Sequence, residues 1–432
     1  MKILLILSND TKIGGQDLAK KINKYGYAPT TLTTLASLVS PELDAEIEII
    51  DEGIQVLPED IKADIVGISI CTPNAQRGYR IADKLKRNGI AVVLGGVHPT
   101  LVPEEALQHA DAIVIGYAEE AWPKLLLDFR NKRMKRVYEQ FSMDVFENGM
   151  PIPRRDLLKR EAYIFANTIE VTRGCLNQCK FCVIPRICGG KFYFRPTEEV
   201  VKEIQSMNAK DIVFIDSNPT VNLQYIKSLY QALIPLKINW FGSATTQVLN
   251  DSEWLDLAVK SGCKGLLIGF ESLNQNSLEN DNKEFNRVDR YKEFIKKLHD
   301  YGIAILGCFV FGFNNDDKTI FEKTIEFVDR ANIDVAQYTV YTPYPGTIAY
   351  EELKLENRII EDNWALYDGK HVVFQPAKMT AEELQEGIFW AWKNTYTYGS
   401  IIKRVIGSKC SIFLNFIANL GFKYYGKTFI SK

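Results

Sequence analysis

The sequence predicts an α/β protein: a Rossmann-like, doubly wound parallel sheet at the N-terminus, then a partial (β/α)6 barrel, then a small helical cap. Three observations predict it. Short apolar runs alternate with amphipathic helical stretches along most of the chain. The alternation breaks once, around Pro151-Ile152-Pro153, and its second half opens on a strand that runs into a cysteine-rich loop. A chain of 432 residues is also too long for one ordinary core and calls for two or three domains.

The first domain, residues 1–135, has strand-like runs at 3–7, 45–50, 65–70, 91–94 and 112–115, with helical stretches such as 75–86 and 119–129 between them. Such a sheet binds ligands beyond the carboxyl ends of its strands. The loops there are 8–15, 71–74, 95–100 and 116–119. They offer Thr72, Asn74, Gly95, Gly96, His98 and Gly116 as candidate cofactor contacts, the glycines because they let backbone approach a ligand closely. Residues 136–166 read as a linker, stiffest around its prolines. In residues 167–375 strands are predicted at 168–172, 211–215, 238–242, 265–270, 303–311 and 335–341, with chemistry gathered at their carboxyl ends. Residues 376–432 form a helical, basic and apolar extension.

Cys175, Cys179 and Cys182 form a C-x3-C-x2-C triplet with Phe181 before its last member. Three thiolates at this spacing can hold three irons of a [4Fe-4S] cluster and leave the fourth without a protein ligand. A closed zinc site, with Cys188 as fourth ligand, is the competing reading. The other cysteines stand singly, which is no disulfide framework and fits the reducing cytoplasm. A net charge of -2, with 25% charged and 46% hydrophobic residues, describes a globular chain with no general attraction to nucleic acid. No apolar run of about 20 residues exists to span a membrane, and the N-terminal run is too short for a signal peptide.

The triplet with Phe181 resembles the signature of the radical S-adenosylmethionine (SAM) superfamily, and Gly95-Gly96-Val97-His98-Pro99-Thr100 resembles the G-G-x-H-P-T loop of its cobalamin (B12)-dependent family. The resemblance implies that Cys175, Cys179 and Cys182 hold the cluster and that SAM chelates the open iron. An electron, from a donor such as flavodoxin or ferredoxin, then cleaves SAM to a 5′-deoxyadenosyl radical. It also implies cobalamin in the first domain. The Asp-x-His-x-x-Gly motif is absent, so cobalt would have no histidine beneath it, and Tyr117 replaces a glutamate of the family's Gly-Glu-Gly-Glu loop at the corrinoid face.

The segment from Gly265 to Ser272 resembles the family's G-x-I-x-G-x-x-E region, which places Gly269 beside adenine and Glu271 toward the ribose. Phe214-Ile215-Asp216-Ser217-Asn218 resembles its Phe-x-Asp-Asp-Asn, with Asp216 as acceptor for the methionine ammonium. Thr245, Thr246 and Gln247 are candidate contacts to the SAM carboxylate or ribose, though plain strand-end polarity explains them nearly as well. Tyr341 to Thr347 resembles the T-P-x-P-G-T loop, and 364–374 with the helix after it resembles the C-terminal extension of a subgroup that includes hopanoid C-methylases.

The expected activity is cobalamin-dependent methylation of an unactivated carbon in a hydrophobic small-molecule or lipid substrate. Two alternatives stand: cobalamin-free rearrangement, coupling or cyclisation, and a B12-binding sensor with a structural cluster. A tRNA methylthiotransferase would need a second cysteine triplet, and none is visible. After Glu386 there are seven basic residues and no acidic one. That tail fits either a helix docked on the barrel or a peripheral contact with the inner membrane surface of a cytoplasmic enzyme.

Overall fold

The computed structural model describes residues 1–9, 12–13, 16–17, 25–408 and 410–430. Gly14 and Gly15 of the first strand-end loop, and Lys409 and Lys432 of the tail, lie outside the described residues. The chain forms two compact units, one of residues 1–170 and 183–207, the other of 171–182 and 208–432.

In the first unit, β1 (Lys2–Leu7), β2 (Glu46–Asp51), β3 (Ile65–Ser69), β4 (Ala91–Gly95), β5 (Ala112–Gly116) and β6 (Val137–Gln140) form one sheet. The order is β2-β1-β3-β4-β5-β6 and every pair is parallel. Central strands of such a sheet are covered on both faces, which is why Ile3 to Ile6 and Val92 to Leu94 are buried without alternation. Leu5, Ile65, Val93 and Val114 pack with Trp122 and Leu125. β6 lies in the stretch that the sequence assigns to the linker. Its four residues, Val-Tyr-Glu-Gln, bury Tyr138 and Gln140 and expose Glu139, an edge-strand alternation whose buried glutamine hides it from an apolar pattern.

In the second unit, β7 (Asp211–Phe214), β8 (Asn239–Ala244), β9 (Cys263–Glu271), β10 (Ala304–Phe311) and β11 (Val335–Val340) are parallel neighbours in sequential order. The strand expected at 168–172 is two short pieces, Thr168–Ile169 and Thr172–Gly174. It breaks because the Val171 and Thr172 amides donate to the Asp216 carboxylate. The register of β9 against β10 shifts between Gly269 and Glu271, where Glu271 takes a left-handed φ of 64°.

Helices Ala381–Thr395, Tyr398–Ser408 and Ile412–Ile430 follow; α1, α2 and α3 denote them below. A capping box of Thr380 and Glu383 starts α1. Among the described residues, no helix is long and apolar enough to cross a membrane.

The turn after β10 is pinned by Asp316, whose carboxylate accepts the Gly312 and Phe313 amides at 3.1 Å each and the Ser277 hydroxyl at 3.2 Å. Burial pushes this carboxyl up to about 7 from 3.8. The folded state therefore holds a proton that the unfolded chain has released. The stability contributed is full below the unfolded value and is lost as pH rises through the folded one. Asp316→Asn keeps the acceptor and removes the titration. Its melting temperature should fall less than wild type between about pH 5 and about pH 8, and exceed wild type at the upper end by several degrees. Calorimetry across that range checks this; parallel profiles would refute it.

Candidate active site

The cysteine loop has little regular structure of its own, so its backbone groups need partners elsewhere. On entry, Asp216 Oδ1 accepts from Val171 N at 3.0 Å, from Thr172 N, and from Thr172 Oγ1 at 2.7 Å. At the far side the Asp281-Asn282-Lys283 turn holds it. Lys180 N donates to Asp281 O at 3.1 Å, Asn282 Nδ2 to Gln178 O at 3.1 Å, and Ala349 N to Lys180 O at 3.1 Å.

The three thiols lie close enough to act on one another electrostatically. Burial pushes the Cys179 thiol up to about 12, against the opposing pull of Lys283. Asn218 Nδ2 donates to Cys175 Sγ at 3.4 Å, and Cys179 Sγ lies 3.6 Å from Asn282 O. Lys283 Nζ sits 2.6 Å from Glu271 Oε1 and 5.9 Å from the Phe181 ring centre. Burial alone would push Lys283 down, but Glu271 and Cys179 outweigh it and hold the ammonium above the ordinary lysine value.

A single tetrahedral zinc, with Zn–S near 2.3 Å, would draw its sulfurs to about 4 Å of each other. Among the described residues only His299, Asp334 and Cys410 bring three such donor atoms within 4.8 Å. The triplet is more open than that. Cys188 is buried just after helix Ile184–Ile187, in the first unit. Three spread thiols, with an amide donor on one and a buried cation beside another, fit an anionic cluster wider than one ion.

The other predicted SAM contacts divide. Asn218 Oδ1 accepts from Thr220 at 2.7 Å, Thr220 and Thr245 hydroxyls share a hydrogen at 3.0 Å, and Thr245 reaches Gln247 Oε1 at 3.2 Å. Cys175, Thr245 and Gln247 thus belong to one network. Thr246 instead donates to Asn286 Oδ1 at 2.8 Å. Asn286 Nδ2 in turn donates to Gly269 O at 2.8 Å and Phe270 O at 3.0 Å, and Tyr291 adds a bond to Phe270 O at 2.7 Å. These bonds fix the bulge that turns Glu271. A Cβ at Gly269 would meet Glu271 Oε1 at 2.4 Å, so any side chain there would displace the carboxylate from its place beside Lys283. A cavity of about 320 Å³ borders Thr246 and Gln247 and is lined also by Phe285, Arg287, Arg290 and Tyr291; no cysteine of the triplet lines it. Phe181 packs edge-on against Phe313 and Tyr341, both at 5.9 Å.

In the first unit, Thr72 follows β3, Gly95, Gly96 and His98 end and follow β4, and Gly116 ends β5. His98 is fully buried, with Nδ1 3.3 Å from Thr72 Oγ1 and Nε2 3.4 Å from Glu105 Oε1. Thr100 Oγ1 accepts from Gly116 N at 2.9 Å and donates to Gly96 O at 2.8 Å, tying two strand ends together. Gly96 has φ 98°, and a Cβ there would meet Ile70 O at 2.9 Å. Asn74 is half-buried where helix Ala75–Arg87 begins. Tyr117 packs with Met150 onto Met143, Phe146 and Tyr193. A histidine with both ring nitrogens engaged presents no lone pair to a metal, so the loops fit a corrinoid carried without a protein imidazole.

These two sites, a three-thiol loop at a parallel-sheet end and a glycine-lined sheet end, define a radical SAM enzyme with a B12-binding domain. Residues 169–328 match the model of the radical SAM superfamily and residues 42–126 that of the B12 binding domain. The chain is 32% identical to a bacteriochlorophyllide d C-12(1)-methyltransferase of Chlorobaculum tepidum over 404 residues, 90% of this chain and 88% of the relative. It is 22% identical to a hopanoid C-2 methylase of Rhodopseudomonas palustris, over 78% of this chain and 66% of the relative. Among solved structures it resembles the cobalamin-dependent SAM radical enzyme OxsB, with TM-score 0.73 and 14% identity over 99% of this chain and 71% of that one. The chain belongs to the cobalamin-dependent radical SAM family. Its cofactors are a [4Fe-4S] cluster, SAM and cobalamin.

The sequence reading missed Lys283, Asn286 and Glu105. Lys283 and Asn286 sit in a polar run, 279–287, that reads as a solvated turn. Cys179→Ala should lower iron from about four per chain to near none, while Cys188→Ala retains it. Replacing Lys283 by Met, with Glu271→Gln to avoid a stranded carboxylate, should keep the iron and lower the cluster potential by on the order of tens of millivolts, since the lost ammonium acts on Cys179 more strongly than the carboxylate lost with it. A redox titration followed by electron paramagnetic resonance checks the shift, and an unchanged potential would refute it.

Proposed function

We propose that this enzyme transfers a methyl group to an unactivated carbon of a hydrophobic small molecule. The observation that carries the proposal is the 32% identity, over 90% of this chain, to an enzyme whose methyl acceptor is bacteriochlorophyllide d. When bound, the cofactors supply one-electron cleavage of SAM and a transferable methyl group. Residues 1–135 would be the cobalamin domain, 136–166 its linker, 167–375 the barrel and 376–432 the cap.

In this reading Cys175, Cys179 and Cys182 ligate the cluster, and Asn218 and Lys283 offset its negative charge. Thr245 and Gln247 bind the polar end of SAM, while Phe181 and Gly269 flank its flat parts. Asp216 acts through the chain: with one oxygen spent on Val171 and Thr172, it positions the cysteine loop. Glu271, paired with Lys283 at 2.6 Å, fixes that cation beside the thiols and is not a free base. Thr72, Asn74, Gly95, Gly96 and Gly116 receive the corrinoid, and His98 orders their loops. Reduced flavodoxin or ferredoxin supplies the electron, and the enzyme works in the cytoplasm at the inner membrane surface.

Protein purified anaerobically and reconstituted with iron, sulfide and hydroxocobalamin should retain about one corrinoid per chain, with a visible spectrum that His98→Ala does not change. With SAM carrying a deuterated methyl group, a reductant and bacteriochlorophyllide d as probe acceptor, the label should appear on carbon of the apolar product. SAM cleavage without corrinoid retention or methyl transfer would move the reading to cobalamin-free rearrangement, coupling or cyclisation.

A further inference from the structure

The last two helices bury an unusual set of polar side chains, beside Ile401 and Val405, and leave many of their large apolar ones outward. On α2 and α3 the buried residues include Arg404 and Asn419, both 0% exposed, with Ser408 and Asn415 beside them. The outward ones include Ile402, Ile406, Ile412, Phe413, Phe416 and Ile417, with Phe413 73% and Ile406 64% exposed. A helix that folds onto a protein in water ordinarily does the reverse. On α3, Phe413, Ile417, Leu420 and Tyr424 recur at helical spacing along one exposed stripe, and an apolar area of this kind marks a surface that is covered in use.

The inward polar groups are satisfied, so the apolar face is held outward and not left there by loose packing. Arg404 donates to Ile333 O at 3.0 Å, Asp334 O at 3.1 Å, Thr395 O at 3.1 Å and Asn419 Oδ1 at 2.9 Å. Asn419 Nδ2 donates to Asp334 O at 2.8 Å, and Asn415 Nδ2 to the Asp334 carboxylate and to Cys410 O at 2.7 Å. Turning either helix over would strand a buried guanidinium partner set and two amides, each costing about 1–3 kcal/mol.

Charge selects the occupant. The chain has no acidic residue after Glu386, and Lys393, Lys403 and Lys427 are exposed. Of the seven basic residues counted from the sequence, Arg404 is buried and contributes to the latch instead. A second copy docking on this face about a two-fold axis would set the lysines against themselves. An anionic bilayer attracts them and accepts the isoleucines and phenylalanines.

We infer that α2 and α3 are a peripheral anchor that lies flat in the headgroup region of an anionic bilayer, Phe413 and Ile417 inserted and Lys403 and Lys427 on phospholipid headgroups. This deepens the reading of a hydrophobic acceptor met at a membrane surface and rests on it, but binding is measurable without turnover. The full reconstituted chain is floated with vesicles of phosphatidylcholine alone and with phosphatidylglycerol added. Partition should favour the anionic vesicles by roughly tenfold or more, fall several-fold in K403E/K427E and at high salt, and vanish in F413S/I417S. SAM cleavage by F413S/I417S without vesicles should match wild type, so loss of chemistry and loss of binding are read apart. Equal flotation of F413S/I417S and wild type, or no preference for anionic lipid, would overturn the inference. So would a dimer in sedimentation that F413S/I417S dissociates, which would make a second copy the occupant.

Discussion

The carboxylate of Asp216 is the interaction on which the radical SAM site depends. Its Oδ1 gathers three donors from Val171 and Thr172, which ends one strand and starts the cysteine loop from a fixed point. Hydrogen bonds to a charged acceptor are worth about 1.5–3 kcal/mol each, so this one oxygen outweighs the ladder bonds that the broken strand forgoes. Two residues on, Asn218 is carried by the same strand end to Cys175. The first thiol is therefore placed by β7 and the second by the Asp281-Asn282-Lys283 turn, with the Cys182 amide bonded back to Cys179 O at 3.1 Å. A loop with two such anchors keeps its three sulfurs from gathering within 4.8 Å of one another, whereas an unanchored loop of this length would collapse or close on a smaller ion.

Glu271 and Lys283 show what the barrel gives up for charge placement. Both are 12% exposed, and removing two charges from water costs several kcal/mol per ion before attraction offsets it. Glu271 in addition adopts φ 64°, a conformation that costs on the order of 1–3 kcal/mol for a residue with a side chain. Asn286 and Tyr291, bonded to Gly269 and Phe270, hold the strand end in that shape. A packing role would be filled more cheaply by two apolar residues. The pair is better explained by its neighbour: a cation fixed beside Cys179 and under Phe181 lowers the electrostatic cost of an anionic cluster.

Legibility in the sequence followed the strength of each local signal. The run Ile3 to Leu7 belongs to a strand covered on both faces and Gly265 to Phe270 to one that leaves Leu267 exposed, yet an unbroken apolar run is unambiguous in either once turns flank it. The cysteine triplet and the Gly95-Gly96 loop are contiguous, so they were equally plain. What escaped were partners distant in sequence. Lys283 is 101 residues after Cys182, in a stretch whose composition suits solvent as well as a buried turn. Glu105 is near His98 in sequence, but it meets it across the break at Val102 between the short helices Val97–Leu101 and Pro103–His109, which a single-helix reading does not anticipate. In the tail, composition marked a basic, apolar helical extension but said nothing of which face turns inward. That depends on Asp334, a residue 81 positions before Asn415.

Asp334 also separates the tail from the chemistry. It stands at the amino end of β11 and receives His299, the Ile305 amide and Asn415 on its carboxylate, with Arg404 and Asn419 on its carbonyl oxygen. Asn218 and Thr245 follow the carboxyl ends of β7 and β8 in the same sheet, Glu271 is the last residue of β9, and the cysteine loop follows the short strand Thr172–Gly174. A parallel sheet places these two sets of ends on opposite sides, so the bonds that hold α2 and α3 and the candidate cofactor residues share no side chain. Substitutions at one side should then add to those at the other with little coupling. The same division lets a family vary the surface on which its members work while keeping the loop that holds the cluster, because the strands transmit position but not the identity of what lies beyond their far ends.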